Sequence, residues 1–350
     1  MTAKPVTTEE QQLIAVDPEI EVTESTYGAE LSVYTASVTS SVTDYQKENG
    51  RRYHAYKEGR ELHTSFLLLA FDKNSNNTHW FDIILGYLLP NDERENDRLD
   101  LHHALIRLAM KDKLFFAPIG KFPNRVLDIC TGTADMYPSA EVIGNDLSPI
   151  QPSMIPPNVK FLIDDVEDEW GYENQPFDFI HARYLAGSVK DMPRLLEQCY
   201  ANVKPGGWVE FQDWDAAVQS ADGTIKGTSF EQYTLNTIAA FEKAGFITRP
   251  GIYLEKWLKD AGFVNTRVEK LVIPVGTWPK DEHYKRVGAF NLLHVEETLE
   301  AGAVAALTRI ENWSKQEVDV LVAKTKQDAR NPKIHAEYNF YVVYGQKPQK

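Results

Sequence analysis

Short apolar segments alternate with longer polar or helical ones along most of the chain after Pro123. The apolar segments have the length and composition of buried β-strands, and the segments between them are long enough for crossover connections. This alternation is typical of an α/β fold built on a parallel sheet. The five predicted strands are residues 125–129, 140–146, 159–163, 177–182 and 208–213.

Helical periodicity predicts the elements around these strands. Upstream helices are expected at 40–59 and 93–114. A helix at 192–203 should end at Lys204-Pro205-Gly206-Gly207, where proline and glycine stop propagation. The predicted organisation is a disordered tail at 1–33, a helical cap at 34–120 and an α/β domain at 121–350 with helical insertions after 213. The remaining predicted elements are helices at 230–244, 254–261, 282–301 and 315–328 and strands at 266–274 and 335–344.

Charge and composition narrow the class of protein. The 350 residues include 37 basic and 51 acidic side chains, a formal charge of -14 that disfavours direct contact with nucleic acid or an anionic membrane. No apolar segment suits a spanning helix. Cys130 and Cys199 lack metal-ligand spacing, and His102 and His103 lack a partner, so no metal site is expected and the histidines are predicted on the surface. We expect a protein of the cytoplasm or nucleus.

The ends of three consecutive predicted strands carry candidate binding residues. The first strand contains Asp128 and runs into a turn of small residues that includes Thr131 and Gly132, where backbone N–H groups can approach a ligand. Asp146 ends the second strand, where a carboxylate can accept both ribose hydroxyls of an adenosine. Asp165 and Val166 follow the third strand, where an acid and a backbone N–H could read adenine. Taken singly, each acid could equally face solvent or cap a helix.

The first turn also bears on the identity of the cofactor. It lacks the GxGxxG run that brings a helix N-terminus onto a pyrophosphate, which disfavours an NAD-dependent dehydrogenase.

Several longer motifs together resemble a known family. The sequences VLDICTGT, PSAEVIGNDLSPIQPS, FDFIHARYLAGSVKD and VKPGGWVEFQDWD are similar to those of fungal LaeA-like methyltransferases, a class I group often encoded beside secondary-metabolite genes. The upstream sequences TSSVTDYQKENGRRYHAYKEG and YLLPNDERENDRLDL resemble the N-terminal cap of that family. The resemblance covers about residues 34–344.

The resemblance implies a Rossmann-like, mostly parallel seven-strand sheet and S-adenosyl-L-methionine as cofactor. His181 is then the candidate general base, or else a structural hydrogen-bond donor to the cofactor carboxylate. The implied cofactor contacts are Asp128, Thr131 and Gly132 at the first loop, Asp146 at the ribose, Asp165 and Val166 at the adenine, His181 and Arg183 near the methionine end, and Tyr53 and Tyr56 closing over it from the cap.

Two departures from the family pattern leave the function open. The loop after Thr131 is short, which predicts weaker cofactor binding, and residues 60–86 interrupt a continuous family motif as either a lid or a retained intron. The first hypothesis is a methyltransferase acting on a small metabolite or a protein side chain. The second is a catalytically impaired relative that works as a regulatory module with a protein partner. The aromatic residues after 213 fit either core packing or an apolar acceptor.

Overall fold

The structure is a computed structural model, and it describes residues 14–15, 46–49, 51–53, 88–129, 139–146 and 157–350. The helices are α1 (Glu93–Ala109), α2 (Met192–Asn202), α3 (Ser229–Lys243), α4 (Leu254–Asp260), α5 (Glu282–Ala305) and α6 (Lys315–Arg330). The strands are β1 (Gln46–Glu48), β2 (Arg51–Tyr53), β3 (Arg125–Ile129), β4 (Glu141–Asp146), β5 (Val159–Ile163), β6 (Phe177–Arg183), β7 (Val203–Gln219), β8 (Val264–Pro274) and β9 (Glu337–Gln346).

The central sheet has seven strands in the order β5-β4-β3-β6-β7-β9-β8. The first five of these are mutually parallel, and β9 runs antiparallel between β7 and β8. Strands buried on both faces need nearly continuous apolar sequence, which is why β3 and β4 were readable from the sequence. The predicted Rossmann-like, mostly parallel seven-strand sheet is confirmed.

Side chains alternate between the two faces of the sheet and define two layers of core. On one face, Leu127 and Ile180 pack with Leu196 of α2 and Leu258 of α4. On the other face, Val126 and Phe179 pack with the segment that follows α1. That second face also carries Asp128 and His181, so α1 and the segment after it cover the side chains that the sequence marks as functional.

The chain after β7 adds a helical layer. Helices α3, α5 and α6 share a large buried cluster that includes Phe230, Leu299 and Val318. The same cluster takes in Tyr53 of β2 and Leu89. The N-terminal cap and the downstream helices therefore share one hydrophobic core.

The helix predicted at 40–59 is wrong for the described residues. Strands β1 and β2 form an antiparallel hairpin there, and Asn49 has a φ of 52°. Asn-Gly is a strong signal for a hairpin with a two-residue loop. The Asn-Gly pair that begins at Asn49 therefore indicated this hairpin in the sequence. Arg51 donates from Nε to Asp92 at 2.6 Å, and Asp92 caps α1 by accepting from Glu95 N, which fixes the hairpin to the start of this helix.

Strand β7 is longer than predicted. It begins directly after α2 and includes the predicted helix stop, where Gly206 has a φ of +79°. Its pairing with β6 shifts register between Phe177 and Phe179 of β6. Its far end pairs with β9, where Asp215 lies opposite Asn339. The extra length at this far end therefore depends on a partner strand from the C-terminal part of the chain, whereas Val203 at the start of β7 pairs with Phe177 of β6.

Parts of the predicted organisation lie outside the described residues, including residues 60–86 and the loop at 130–138. Within the predicted tail, the carbonyl oxygen of Ala15 accepts a hydrogen bond from Lys280 N at 2.8 Å. No helix in the described part of the chain is both long and apolar enough to cross a bilayer.

Candidate cofactor and acceptor site

The strand-end acids lie on one edge of the sheet. Strands β5, β4 and β3 are neighbours and parallel, so their carboxyl ends meet at the same edge. Asp164 N donates to the carbonyl oxygen of Asp146 at 3.0 Å, which places the end of β5 beside the end of β4. Asp128 lies on β3 opposite Gly144. The structure thus brings Asp128, Asp146 and the Asp164–Asp165 pair to one edge.

The turn after β5 is held by hydrogen bonds. Asp165 Oδ1 accepts from Glu167 N at 3.0 Å. The carbonyl oxygen of Val166 accepts from Trp170 Nε1 at 3.1 Å and from Gln198 Nε2 at 3.2 Å. The turn is therefore anchored to α2 and presents its backbone at the carboxyl end of the sheet.

Asp128 and His181 form a buried pair on neighbouring strands. Their Cα positions are in register, and His181 Nδ1 lies 2.8 Å from Asp128 Oδ1 with both side chains at most 2% exposed. Because the carboxylate accepts, Nδ1 carries the proton, and Nε2 of the neutral ring is an acceptor. Within the described residues, neither His181 Nε2 nor Asn145 Oδ1 has a hydrogen-bond partner although both atoms are buried.

These residues fit an adenosyl cofactor. Buried polar atoms are normally satisfied, so the two unpartnered atoms mark places where a bound group or water would be expected. The neighbouring carboxylates supply acceptors for ribose hydroxyls and an environment that favours a positive sulfur. The donor set at this edge therefore agrees with the chemistry of S-adenosylmethionine.

Arg183 connects the sheet to the cap. Its guanidinium donates to Gln212 Oε1 at 2.7 Å and to the carbonyl oxygen of Leu114 at 3.0 Å, and it lies 3.1 Å from His103 Nδ1. Burial lowers the pKa of Arg183 to about 10 and the pKa of His103 to about 4. Arg183 therefore holds α1 and the following segment against the end of β6.

Glu210 anchors the same segment from β7. It accepts from the backbone N–H groups of Phe116 at 2.8 Å and Ala117 at 2.6 Å, and from Gln212 Nε2 at 2.6 Å. Burial raises the pKa of Glu210. Three donors thus compensate a carboxyl group on the face of the sheet that also carries His181.

Three predicted site residues, Tyr56, Thr131 and Gly132, lie outside the described residues. Tyr53 is 4% exposed and packs in the cluster that contains Leu89, with the guanidinium carbon of Arg309 at 4.7 Å from its ring centroid. Contact between Tyr53 and the cofactor stays a prediction.

His102 is buried, so its predicted surface placement is wrong. Its Nε2 accepts from Trp214 Nε1 at 3.0 Å, and its ring stacks on Tyr184 with centroids 4.3 Å apart. Burial lowers the pKa of His102 well below its ordinary value, which matches an accepting, neutral ring. The signal was its helical spacing from the buried Leu105 and Ile106, which puts His102 on the core face of α1.

A cavity of about 160 Å³ lies next to the strand edge. Tyr184 and Gly187, from the loop that directly follows β6, form one wall. Trp214 of β7, Phe241 of α3 and His294 of α5 form the others. Because residues 181–187 run from the Asp128–His181 pair to this wall, the cavity borders the carboxyl edge of the sheet.

Asp213 fixes the loop that forms this wall. It accepts from Leu185 N at 2.8 Å and from Ala186 N at 3.3 Å, and the preceding Tyr184 has a φ of 65°. Burial raises the pKa of Asp213 to about 7. Hydrogen bonds to a buried carboxyl thus hold a backbone conformation that a non-glycine residue rarely adopts.

A buried ion pair supports the cavity from α1. Arg98 Nη2 lies 2.5 Å from Glu95 Oε1, and both side chains are at most 4% exposed. Arg98 Nη1 donates to the Tyr184 hydroxyl at 3.1 Å and lies 3.0 Å from His294 Nε2. Sequence analysis missed this network because its members are 86 and 196 residues apart along the chain.

Metal chemistry finds no support in the described ranges. They contain no group of three or more His, Cys, Asp or Glu side chains arranged to hold an ion. Cys199 is fully buried on α2, as predicted for a core position, and burial raises the pKa of its thiol.

Comparison with known proteins defines the class. Residues 101–268 match the family model of a methyltransferase domain. The chain is 40% identical to a methyltransferase, pytC, of Aspergillus terreus over 321 residues, which is 89% of this chain and 91% of the relative. It is 32% identical to a secondary metabolism regulator of Cochliobolus heterostrophus, with coverage of 87% and 95%. It is 30% identical to the protein-methionine methyltransferase laeA of Emericella nidulans, with coverage of 89% and 80%.

The fold and these relatives assign the chain to the class I S-adenosylmethionine-dependent methyltransferase fold. The chain belongs to the fungal LaeA-like family of this class, whose cofactor is S-adenosylmethionine. The family predicted from the sequence motifs is confirmed.

Proposed function

We propose that the protein transfers a methyl group from S-adenosylmethionine to a small metabolite or a protein side chain bound in the cavity beside β6. The observation that carries the proposal is the continuity of residues 181–187, which run from the Asp128–His181 pair to the cavity wall. The name of one relative, a secondary metabolism regulator, supports a connection with secondary metabolism.

The strand-end carboxylates have separate tasks in this proposal. Asp146 accepts the ribose hydroxyls, and Asp165 with the backbone of Val166 reads the adenine edge. Asp128 adds negative charge near the sulfonium and holds His181 in one orientation. S-adenosylmethionine supplies an electrophilic methyl group, and the departing S-adenosylhomocysteine keeps the electron pair of the broken carbon–sulfur bond. Methyl transfer then depends mainly on proximity and alignment.

His181 is the candidate general base. With Nδ1–H donating to Asp128, the neutral ring offers Nε2 as an acceptor for the proton that a hydroxyl or amine loses on methylation. The alternative, donation from Nε2 to the cofactor carboxylate, requires the imidazolium form. The hydrogen bond from Nδ1 to Asp128 is compatible with both forms, and the Nε2 atom, which has no partner among the described residues, can serve in either role. Arg183 acts as a positioning residue, since its described contacts are with Gln212, Leu114 and His103.

A regulatory role is the second candidate, supported by the relative that is named a secondary metabolism regulator. In that case the protein binds a regulatory protein partner in the cytoplasm or nucleus, with weak or no catalysis. The short connection between β3 and β4 favours weak cofactor affinity.

Calorimetric titration with S-adenosylmethionine tests the proposal. Because the short loop predicts weak affinity, the titration extends to millimolar cofactor. Asp146→Ala should weaken binding by about tenfold or more, the loss expected when a charged acceptor of hydrogen bonds is removed. The matched control is Asp260→Ala, which removes a carboxylate that is 58% exposed on α4. Absence of heat in the wild-type protein would contradict the enzyme proposal and leave the regulatory one.

A further inference from the structure

The cavity beside β6 has an apolar and aromatic lining. Its aromatic side chains include Trp214, Tyr233, Phe241 and Tyr338. In the described part of the chain, no Lys, Arg, Asp or Glu side chain lines it. A charged ligand would leave water here without meeting an opposite charge, which is strongly unfavourable.

The titratable groups of the lining are held neutral at physiological pH. Burial lowers the pKa of His294 well below its ordinary value and raises the pKa of Tyr233 well above its own. The Tyr233 hydroxyl also donates to the carbonyl oxygen of Leu299 at 2.8 Å. Behind the wall, the positive charge of Arg98 is balanced by Glu95 at 2.5 Å. The interior therefore presents no net charge to a ligand.

The hydroxyl of Tyr184 is held from one side. The Tyr184 oxygen accepts from Arg98 at 3.1 Å, so its own proton is left to donate, and within the described residues no acceptor for that proton is present. The hydroxyl of Thr298, by contrast, already donates to the carbonyl oxygen of His294 at 2.7 Å. Stacking on His102 fixes the Tyr184 ring. Tyr184 lines the cavity with a ring whose position is fixed, and its hydroxyl is the donor that we assign to a ligand there.

The volume of the cavity is sufficient for one aromatic ring. The cavity measures about 160 Å³, and an apolar cavity of about 150 Å³ is known to hold one benzene ring. We propose that this cavity binds a single uncharged aromatic ring of the methyl acceptor, with a ring oxygen accepting a hydrogen bond from Tyr184. That the ring belongs to the methyl acceptor rests on the proposed function. Binding of the ring itself needs neither cofactor nor turnover. The part of the acceptor that enters the cavity is thus neutral and phenol-like.

Ligand-observed NMR titrations test the proposal with p-cresol, benzoate and benzylammonium, each with and without S-adenosylhomocysteine. We expect p-cresol to bind at least about tenfold more tightly than either charged ring. The reason is that removing an uncompensated charge from water costs more free energy than a tenfold difference in affinity represents. Equal binding of a charged ring would overturn the proposal. Tighter binding of N-acetylmethionine amide than of p-cresol would also overturn it, in favour of a protein side chain.

Two variants locate the binding. Ala216→Leu fills the cavity and should abolish p-cresol binding, whereas Ala201→Leu, at an exposed position of α2, should leave it unchanged. Tyr184→Phe should weaken p-cresol severalfold and leave toluene unaffected, because toluene makes no hydrogen bond. Undiminished p-cresol binding in Ala216→Leu, or equal losses for p-cresol and toluene in Tyr184→Phe, would refute the assignment. A protein that binds no cofactor still gives a readable result, which separates this test from that of the proposed function.

Discussion

The buried carboxyl of Asp213 should make the stability of the protein depend on pH. Burial raises its pKa from an ordinary value of 3.8 to about 7, because the charged form is poorly solvated between β7 and the loop after β6. A folded pKa above the unfolded value means that the folded state binds the proton more tightly. The stabilisation from this group is therefore fully present below pH 3.8 and is lost as the pH rises through about 7.

The size of the effect follows from the same values. A pKa that is about three units higher in the folded state than in the unfolded state corresponds to about 4 kcal/mol of stabilisation in total. About 2–3 kcal/mol of this is lost between about pH 5 and pH 8. Asp213→Asn removes the titration while keeping one oxygen to accept from Ala186 and Trp214. The amide nitrogen takes the place of the oxygen that accepts from Leu185 N and leaves this buried N–H without an acceptor, which should cost about 1–3 kcal/mol at every pH.

Urea denaturation of the wild type and of Asp213→Asn at several pH values measures the effect. The free energy of unfolding of the wild type minus that of the variant should fall by about 2–3 kcal/mol from about pH 5 to pH 8. Asp260→Asn, at an exposed position of α4, provides the control and should give a difference that does not change with pH. A constant or rising difference for Asp213→Asn would refute the assigned role of burial.

Three further predictions concern the cavity and the histidine pair. Glu95→Gln leaves Arg98 buried without its counter-charge and should lower the free energy of unfolding by about 3–5 kcal/mol, against less than about 1 kcal/mol for Glu255→Gln in an exposed pair, as measured with urea. Gly187→Ala and Gly227→Ala each place a Cβ at a φ near +77°, but only the Cβ at position 187 meets the Phe241 ring, at 3.2 Å. Gly187→Ala should therefore lower the free energy of unfolding by more than the roughly 1–2 kcal/mol expected for Gly227→Ala. Equal losses in the two variants would contradict the close contact. Nitrogen-15 NMR of labelled histidine should show His181 protonated on Nδ1, and Asp128→Asn should remove that preference, whereas an Nε2–H signal in the wild type would show the tautomer to be wrong.

Strands β3, β4, β5 and β6 were predictable from the sequence to within a residue, whereas β7 extends about five residues beyond its prediction at each end. Parallel strands buried on both faces require continuous apolar segments, and the acids that end β4 and follow β5 interrupt those segments visibly. The hairpin at 46–53 was missed because its strands are three residues each, too short for a period of two to stand out, although Asn49 precedes a glycine.

The acceptor cavity was not predictable from sequence patterns. Arg98 meets His294 across 196 residues, and no local periodicity shows such a contact. His102 was assigned to the surface because a polar residue without a metal partner is normally exposed, whereas here Trp214 satisfies it in the core. Tertiary contacts, which local patterns do not contain, therefore decide the shape and charge of the cavity.

A crystal structure of the protein with S-adenosylhomocysteine is the most direct test of the adenosyl site at the ends of β3, β4 and β5. The proposed site predicts that both ribose hydroxyls lie within about 2.7–3.2 Å of the Asp146 carboxylate and that the sulfur faces the cavity beside β6. A nucleoside bound away from Asp146, or a sulfur directed away from that cavity, would contradict it.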